Sequence, residues 1–278
     1  MSAAFARANE RDPLARRRAT ATLIAFVVLW QMLVLAEFKP SALFEPGNVQ
    51  VMRGFLASFL PPSTAADFLG LLLRATLQTL AIATAGIALS LLLAVPLALA
   101  VTHALSVSRI GPGRGRWWGE GIRVVVRMVL AVLRAIPEVV WALVFVRALG
   151  LGPGAGVLAL AVTYGGMLGK VYTEILESGD TRSARALLEA GSPRVGALFY
   201  ALVPSTAQEL ASYTVYRWEC AVRASVVMGF VGAGGLGQLM DQSMKMLNGG
   251  EASTILLTFL LLVMLADAMS AALRKLLA

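Results

Sequence analysis

Apolar residues in this chain fall in long blocks rather than in the short alternation of a soluble fold. Runs over about 19–36, 71–102, 124–149, from the Gly/Pro turn at 150–156 to about Tyr172, 208–232 and 253–273 carry few charges. Each approaches or exceeds the ~18 residues that a helix needs to cross a bilayer core of about 30 Å. Only helices and closed barrels satisfy their backbone in lipid, and runs of this length are helical. The pattern predicts an all-α membrane protein with six transmembrane helices.

The segments between the runs set the topology. Residues 37–67 contain Pro40, Pro46, Pro61 and Pro62 and read as an extracytoplasmic connection, with a short interfacial helix over Val49–Leu60. Pro96 removes a backbone hydrogen bond inside the second run and predicts a kink or interruption there. Residues 103–123 hold Arg109, Arg114, Arg116 and Arg123 among Gly111, Gly113 and Gly115, and 173–207 hold Arg182, Arg185 and Arg194. Arg7, Arg11 and Arg16 to Arg18 precede the first run, and Arg274 and Lys275 follow the last. Cytoplasmic loops favour Lys and Arg, so both termini and both basic loops belong on the cytoplasmic side of the membrane. This divides the chain into a tail at 1–19, a first span and connection at 20–67, and a core at 68–278 with five further spans. Val34-Leu35-Ala36 loosely resembles a cleavage site, which would make the first run a signal peptide. That run is longer than the apolar region of a signal peptide and more spans follow, so it reads as an uncleaved span.

Composition agrees: 58% of residues are hydrophobic and 14% charged, against roughly 45–50% and ~25% in soluble domains. The net charge of +8 sits beside the apolar runs, without the aromatic-interleaved basic patch of a nucleic-acid platform. Cys220 and His103 are the chain's single cysteine and histidine, so no intrachain disulfide, zinc site or cofactor is expected. Cys220 reads as a small packing residue and His103 as an interfacial one. Small residues within the spans, such as Ala81, Ala83, Ala85, Gly86 and Ala88, let helix backbones approach closely. No internal repeat supports an inverted-repeat secondary transporter.

The polar segment about 181–204 is the most informative. Arg185, Ala186, Leu187 and Glu189 belong to a helix broken at Gly191 and Pro193; Leu198, Phe199 and Leu202 follow at helical spacing, and Pro204 marks a second break. Two short helices joined at a glycine form a docking knob for a partner's apolar groove, with basic residues on its rim. The alternative is an interfacial helix resting on lipid.

With Gly191 and Pro204 thirteen residues apart, this segment resembles the EAA loop of ABC importer permeases. Its first triplet departs, reading Arg185-Ala186-Leu187 in place of Glu-Ala-Ala. Arg134-Ala135-Ile136-Pro137-Glu138 with Trp141, and Tyr216-Arg217-Trp218-Glu219 with Arg223, resemble signatures of phosphonate importer permeases. Gly232, Gly234, Gly235 and Gly237 resemble a glycine-rich stretch shared across importer permeases. The resemblance covers roughly residues 70–275. It implies a type I importer permease fold with a cytoplasmic coupling helix. The implied protein is non-catalytic and partners two ATP-binding subunits, an extracytoplasmic substrate-binding protein and a second permease, identical or paralogous. Its implied cargo is a phosphonate or related phosphorus oxyanion, phosphite or phosphate. No Walker motif occurs in the chain, so the ATPase is supplied in trans. Gly232 to Gly237 also fits G-x-G-x-x-G, but its flanks are spans rather than the strand and helix of a dinucleotide site; a bend at the outer mouth of the path is the reading kept.

Ionisable residues inside spans are functional candidates by default. Arg134 with Glu138, and Glu219 with Arg223, stand four apart and can pair along one helix. Arg217 has no acidic residue three or four positions away. With Arg134 or Arg223 it could line an anion path, since the guanidinium fork binds phosphoryl oxygens bidentately. Interhelical salt bridges are the structural alternative. A methionine or quaternary-amine permease is the alternative cargo reading, and a secondary transporter or membrane enzyme the alternative of another class.

Overall fold

A computed structural model describes residues 15–39, 41, 44–103 and 116–277, and these contain helices and no strand. Arg7, Arg11, Pro40, Arg109, Gly111, Gly113, Arg114 and Gly115 lie outside the described residues, as do the side chains of Arg16 and Arg116. The chain divides into two units, Met1–Ala57 and Ser58–Ala278. The first holds α1 (Ala15–Leu35) and α2 (Pro46–Ser58, whose last residue opens the second unit). Every described side chain of α1 is exposed, as suits a helix solvated by lipid.

The second unit is built on α3 (Ala66–Val101) and α6 (Pro153–Ser178), the most extensively packed helix pair. Gly86 lies under Leu160, Gly165 under Leu93, and Gly169 beside Ala94. Lipid tails are as apolar as leucine, so helices associate through this kind of close approach rather than through hydrophobic exclusion from water. Ile82, Leu160 and Leu168 are fully buried along the seam. α9 (Val203–Met228) packs on α3 and α6, and α11 (Gly249–Leu277) packs on α9. At ~1.5 Å per residue α3 is about 54 Å long, well beyond a ~30 Å hydrocarbon core.

Three prolines have different structural outcomes. α3 runs through Pro96 without the interruption that was one of the two outcomes expected there. Buried Ala94 and Ala98, packed with Leu168 and Tyr172, hold the helix to its seam on either side. The break falls at Pro137 instead. A proline disfavours helical backbone in the residue before it, and α4 (Arg116–Ala135) stops there, with α5 (Glu138–Leu149) restarting after Pro137. The two axes differ by 87°, so the expected third span is a bent pair. Pro204, expected as a break, follows closely on a wider π-helical turn that eases the clash of its ring with the carbonyl four residues back. This turn, Leu198–Leu202, joins α9 without interruption to the preceding short helix.

The remaining helices are α7 (Arg182–Glu189), α8 (Arg194–Ala197) and α10 (Gly235–Lys245). α10 was not expected from the sequence: it is short and polar, and lies at 53° to the rod ahead of it. α6 also runs beyond Tyr172, to Ser178. Among the described residues four helices are long and apolar enough to cross a bilayer, and counting each bent pair as one span brings the number to six.

The α4–α6 contact provides a test of this packing. A Cβ on Gly166 would lie 2.8 Å from Leu133 Cβ and 3.1 Å from the Leu130 carbonyl oxygen and the Arg134 nitrogen, backbone that cannot swing aside. Gly166→Leu is expected to destabilise the protein by about 1–3 kcal/mol, read as a lower unfolding temperature in detergent. Gly154→Ala, which meets nothing within 4 Å, is expected to leave that temperature unchanged.

Candidate functional site

Sequence-derived candidates occupy three places along the second unit. At one end, α9 passes through a π-helical turn, Gly229–Ala233, into α10. Gly232 (φ 96°) and Gly234 (φ 86°) take left-handed backbone that side-chain-bearing residues rarely adopt. The first amides of α10 need partners from outside the helix, and α3 supplies them. Gly235 N–H donates to Gln78 Oε1 at 3.0 Å, and Leu236 N–H to Thr79 Oγ1 at 2.9 Å. Gly152 N–H donates to the Gly232 carbonyl at 3.0 Å, tying the α5–α6 turn to the bend. Gly237 lies so close to the Val226 carbonyl and Gly229 that no Cβ fits. The four glycines therefore build a bend with tight packing.

Midway along α9, Arg217 stands among aromatic rings. Its Nε donates to Tyr213 Oη at 2.7 Å. Its guanidinium lies 5.0 Å from the Tyr213 ring centroid, 5.6 Å from that of Tyr216 and 5.9 Å from that of Tyr164 on α6. The negative ring faces stabilise the cation. It has no carboxylate partner among the described residues, and its terminal nitrogens have no hydrogen-bond partner there. Tyr164 is 4% exposed and shares its electrostatic surroundings with Glu138, Cys220, Arg217 and Arg223. An oxyanion reaching this place would meet a cation with two donor nitrogens still free.

The neighbouring charges are differently arranged. Glu219 is 5% exposed; its Oε1 accepts from Arg223 Nη2 at 2.8 Å, and its Oε2 lies 4.0 Å from Arg274 on α11. This cluster ties α9 to α11. Arg134 and Glu138 do not pair: the bend at Pro137 places them on different helix axes, and neither has an ion pair among the described residues. Arg134 instead lines a cavity with Arg127 and Lys170. His103, at the end of α3, is part of a polar group there: its backbone N–H donates to Glu177 Oε1 at 2.8 Å.

At the other end, α7 and α8 form a hairpin around Gly191 (φ 87°). Buried Ala184, Ala197 and Ala201 are its small core, with Leu187 and Leu188 against them. Arg185, Ala186 and Glu189 are exposed, Leu198 is half-buried, and Phe199 is 53% exposed. Leu202, expected on the same face as Leu198 and Phe199, is fully buried, because the wider π turn shifts the helical phase between them. Val195 and Tyr200 are the exposed apolar residues that the sequence reading missed; Val195 to Phe199 is an i, i+4 step that could have revealed the first. Arg182, Arg185 and Arg194 belong to the same hairpin and are all exposed. Gln78, Thr79 and Tyr164 were also missed, since their contacts join distant parts of the chain; Tyr213, four residues before Arg217, was missed although helical spacing could have shown it.

The family described as binding-protein-dependent transport system inner membrane component matches residues 110–278. Among similar proteins is the phosphite transport system permease protein PtxC of Stutzerimonas stutzeri, 40% identical over 54% of this chain and 55% of its own length. The putative phosphite transport system permease protein HtxC of the same organism is 32% identical over 96% of this chain and 90% of its own length. The phosphate-import permease protein PhnE of Mycolicibacterium smegmatis is 32% identical over 95% of this chain and 47% of its own length. The matched region thus spans about half of PtxC and of PhnE. Among solved structures, the MetNI methionine ABC transporter in an inward-facing conformation superimposes with a TM-score of 0.65 at 22% identity, over 77% of this chain and all of that one. At that identity it shows the fold, that of an ABC importer permease.

The buried charge cluster and the bend each yield an expected outcome. Glu219→Gln is expected to lower stability by about 1–2 kcal/mol, the loss being limited because Arg223 is half exposed. Gly237→Ala is expected to cost more, ~3 kcal/mol, as backbone atoms block the new methyl group. Thermal unfolding of both variants in one detergent gives the ranking.

Proposed function

Because this chain belongs to the family of binding-protein-dependent transport system inner membrane components, we propose that it is the membrane-spanning permease of an ABC importer whose cargo is a phosphorus oxyanion. The protein is a multi-pass membrane protein with the type I importer permease fold. A permease of this family works with ATP-binding subunits and a substrate-binding protein. The cargo reading is carried by one observation: near full-length similarity to a permease named for phosphite transport. The likeness to the methionine transporter concerns the fold and does not favour methionine as cargo.

In this reading both bent pairs act as single spans, giving six, with both termini and the basic loops in the cytoplasm. A second permease, identical or paralogous, completes the path. The α7–α8 hairpin is the knob on which an ATP-binding subunit docks, offering Val195, Phe199 and Tyr200 to an apolar groove and Arg182, Arg185 and Arg194 to its rim. The chain itself carries no hydrolytic chemistry; ATP-driven closure of the partner subunits moves the knobs and switches the path between its two openings. Arg217 is the anion-path residue best supported by geometry, having free donors and no carboxylate. Arg223 fits the structural role better, being engaged with Glu219.

The first experiment is ATPase activity of the reconstituted importer with its ATP-binding subunits and binding protein in liposomes. Phosphite, phosphonates or phosphate are expected to stimulate it and methionine is not; stimulation by methionine alone would overturn the cargo assignment. Phe199→Asp is expected to reduce co-purification of the ATP-binding subunit at least about tenfold, as loss of a buried aromatic anchor does, while the permease keeps its unfolding temperature. Arg217→Leu is expected to impair uptake with assembly intact. Unchanged uptake would reduce Arg217 to a packing residue.

A further inference from the structure

The end of the second unit that carries the α7–α8 hairpin also contains a cavity of about 280 Å³ between α3, α4 and α6. It is roomy enough to hold water, since one water needs only ~10–15 Å³ of such space. Val101 and Leu130 form its apolar wall; Arg127 and Arg134 enter from α4, and Lys170, Glu174 and Glu177 from α6. Three cations thus face two carboxylates, and the carboxylates are already engaged. Glu174 lies 2.9 Å from Lys170. Glu177 accepts the His103 amide at 2.8 Å and faces Arg127 at 3.8 Å.

The surplus cation is Arg134. It is half-buried and has no ion pair or hydrogen bond among the described residues. Its backbone is fixed, because Gly166 lets the last turn of α4 rest directly on α6. A guanidinium near the hydrocarbon without a counter-charge is unfavourable by a few kcal/mol on insertion scales. A water-sized void gives it hydration but not charge balance. An oxyanion would supply both: two oxygens for the planar fork of Arg134, with the Lys170 ammonium within the same cavity as a point charge.

We propose that this cavity is a second anion site, separate from Arg217, that takes a phosphoryl group between Arg134 and Lys170. Its position beside the hairpin puts it, on the topology given above, at the cytoplasmic leaflet. Anionic lipid headgroups and soluble phosphate both occur there and share the required chemistry. The charge imbalance itself does not depend on the cargo assignment. Only three residues separate the end of α6 from α7, so an occupant would brace the helix that leads into the hairpin.

Two binding measurements on the assembled importer separate the sources. In nanodiscs of phosphatidylcholine alone, equilibrium dialysis with radiolabelled inorganic phosphate reads the soluble anion. In nanodiscs that include cardiolipin, native mass spectrometry reads retained headgroups. The parent protein is expected to show saturable binding in at least one arm. The double variant Arg134→Gln, Lys170→Gln is expected to lose it by about tenfold or more, the scale of a charge-assisted bidentate contact. Phosphate binding by the ATP-binding subunits is common to both proteins and cancels in the comparison. Arg217→Leu is expected to retain the binding, and its loss there would place the anion in the transport path and overturn a separate site. No saturable binding in either arm, or equal binding by parent and double variant, would also overturn it. Should the double variant fail to assemble, Lys170→Gln alone decides by the same criterion, since Lys170 is half exposed and its loss leaves the packing intact. Failure of the cargo assignment would appear instead in the stimulation assay, with binding here unchanged.

Discussion

The second unit depends on how closely α3 and α6 approach. In lipid the helices gain little from hiding apolar surface, so contact requires side chains small enough for backbones to interlock. Gly86, Gly165 and Gly169 meet this need along the seam. The position of α6 then sets much else. Its Gly166 seats the end of α4, its Tyr164 faces Arg217, and its last turns lead into the hairpin. A single helix thus contacts the charged middle, the polar inner cavity and the element proposed to receive the ATP-binding subunit.

Cations within the unit are accommodated in three physically different ways. Arg223 and Arg274 share a buried carboxylate, which fastens two helices but leaves little charge for a visitor. Arg217 is held by aromatic rings and one phenol, an arrangement that steadies the cation without neutralising it. Arg134 faces an open void. Only the second and third leave electrostatic attraction unspent, which is what a transporter of anions needs along its route and a purely structural charge does not.

The helical blocks and the glycine turn of the hairpin were legible because they follow from local chemistry: run length and backbone permissiveness. The prolines were not. Pro96, Pro137 and Pro204 are the same residue with three outcomes, because packing on a neighbouring helix, the residue before the ring, and an adjoining π turn decide which effect wins. Spacing alone suggested an Arg134–Glu138 pair, and the bend between them removed it. The contact of Tyr164 with Arg217 and the caps that Gln78 and Thr79 place on α10 join residues far apart in sequence, beyond the reach of periodicity. α10 itself escaped notice because a short polar helix after a glycine bend looks like a loop.

The unbroken passage from Arg194 through the π turn into α9 has a mechanical meaning. Arg194 sits in the hairpin and Arg217 among its tyrosines, about 35 Å along one rod at ~1.5 Å per residue. A hinge at Pro204 would have absorbed a push at the hairpin. A stiff rod instead acts as a lever arm: tilting it by about 10° around its hairpin end swings the guanidinium by roughly 6 Å, from that same rise per residue. Tyr213 and Tyr216 stand on the same rod and travel with the cation, but that swing matches its present 5.9 Å distance from the Tyr164 ring on α6, so a modest stroke at one end would be enough to part the guanidinium from the one ring that stays behind.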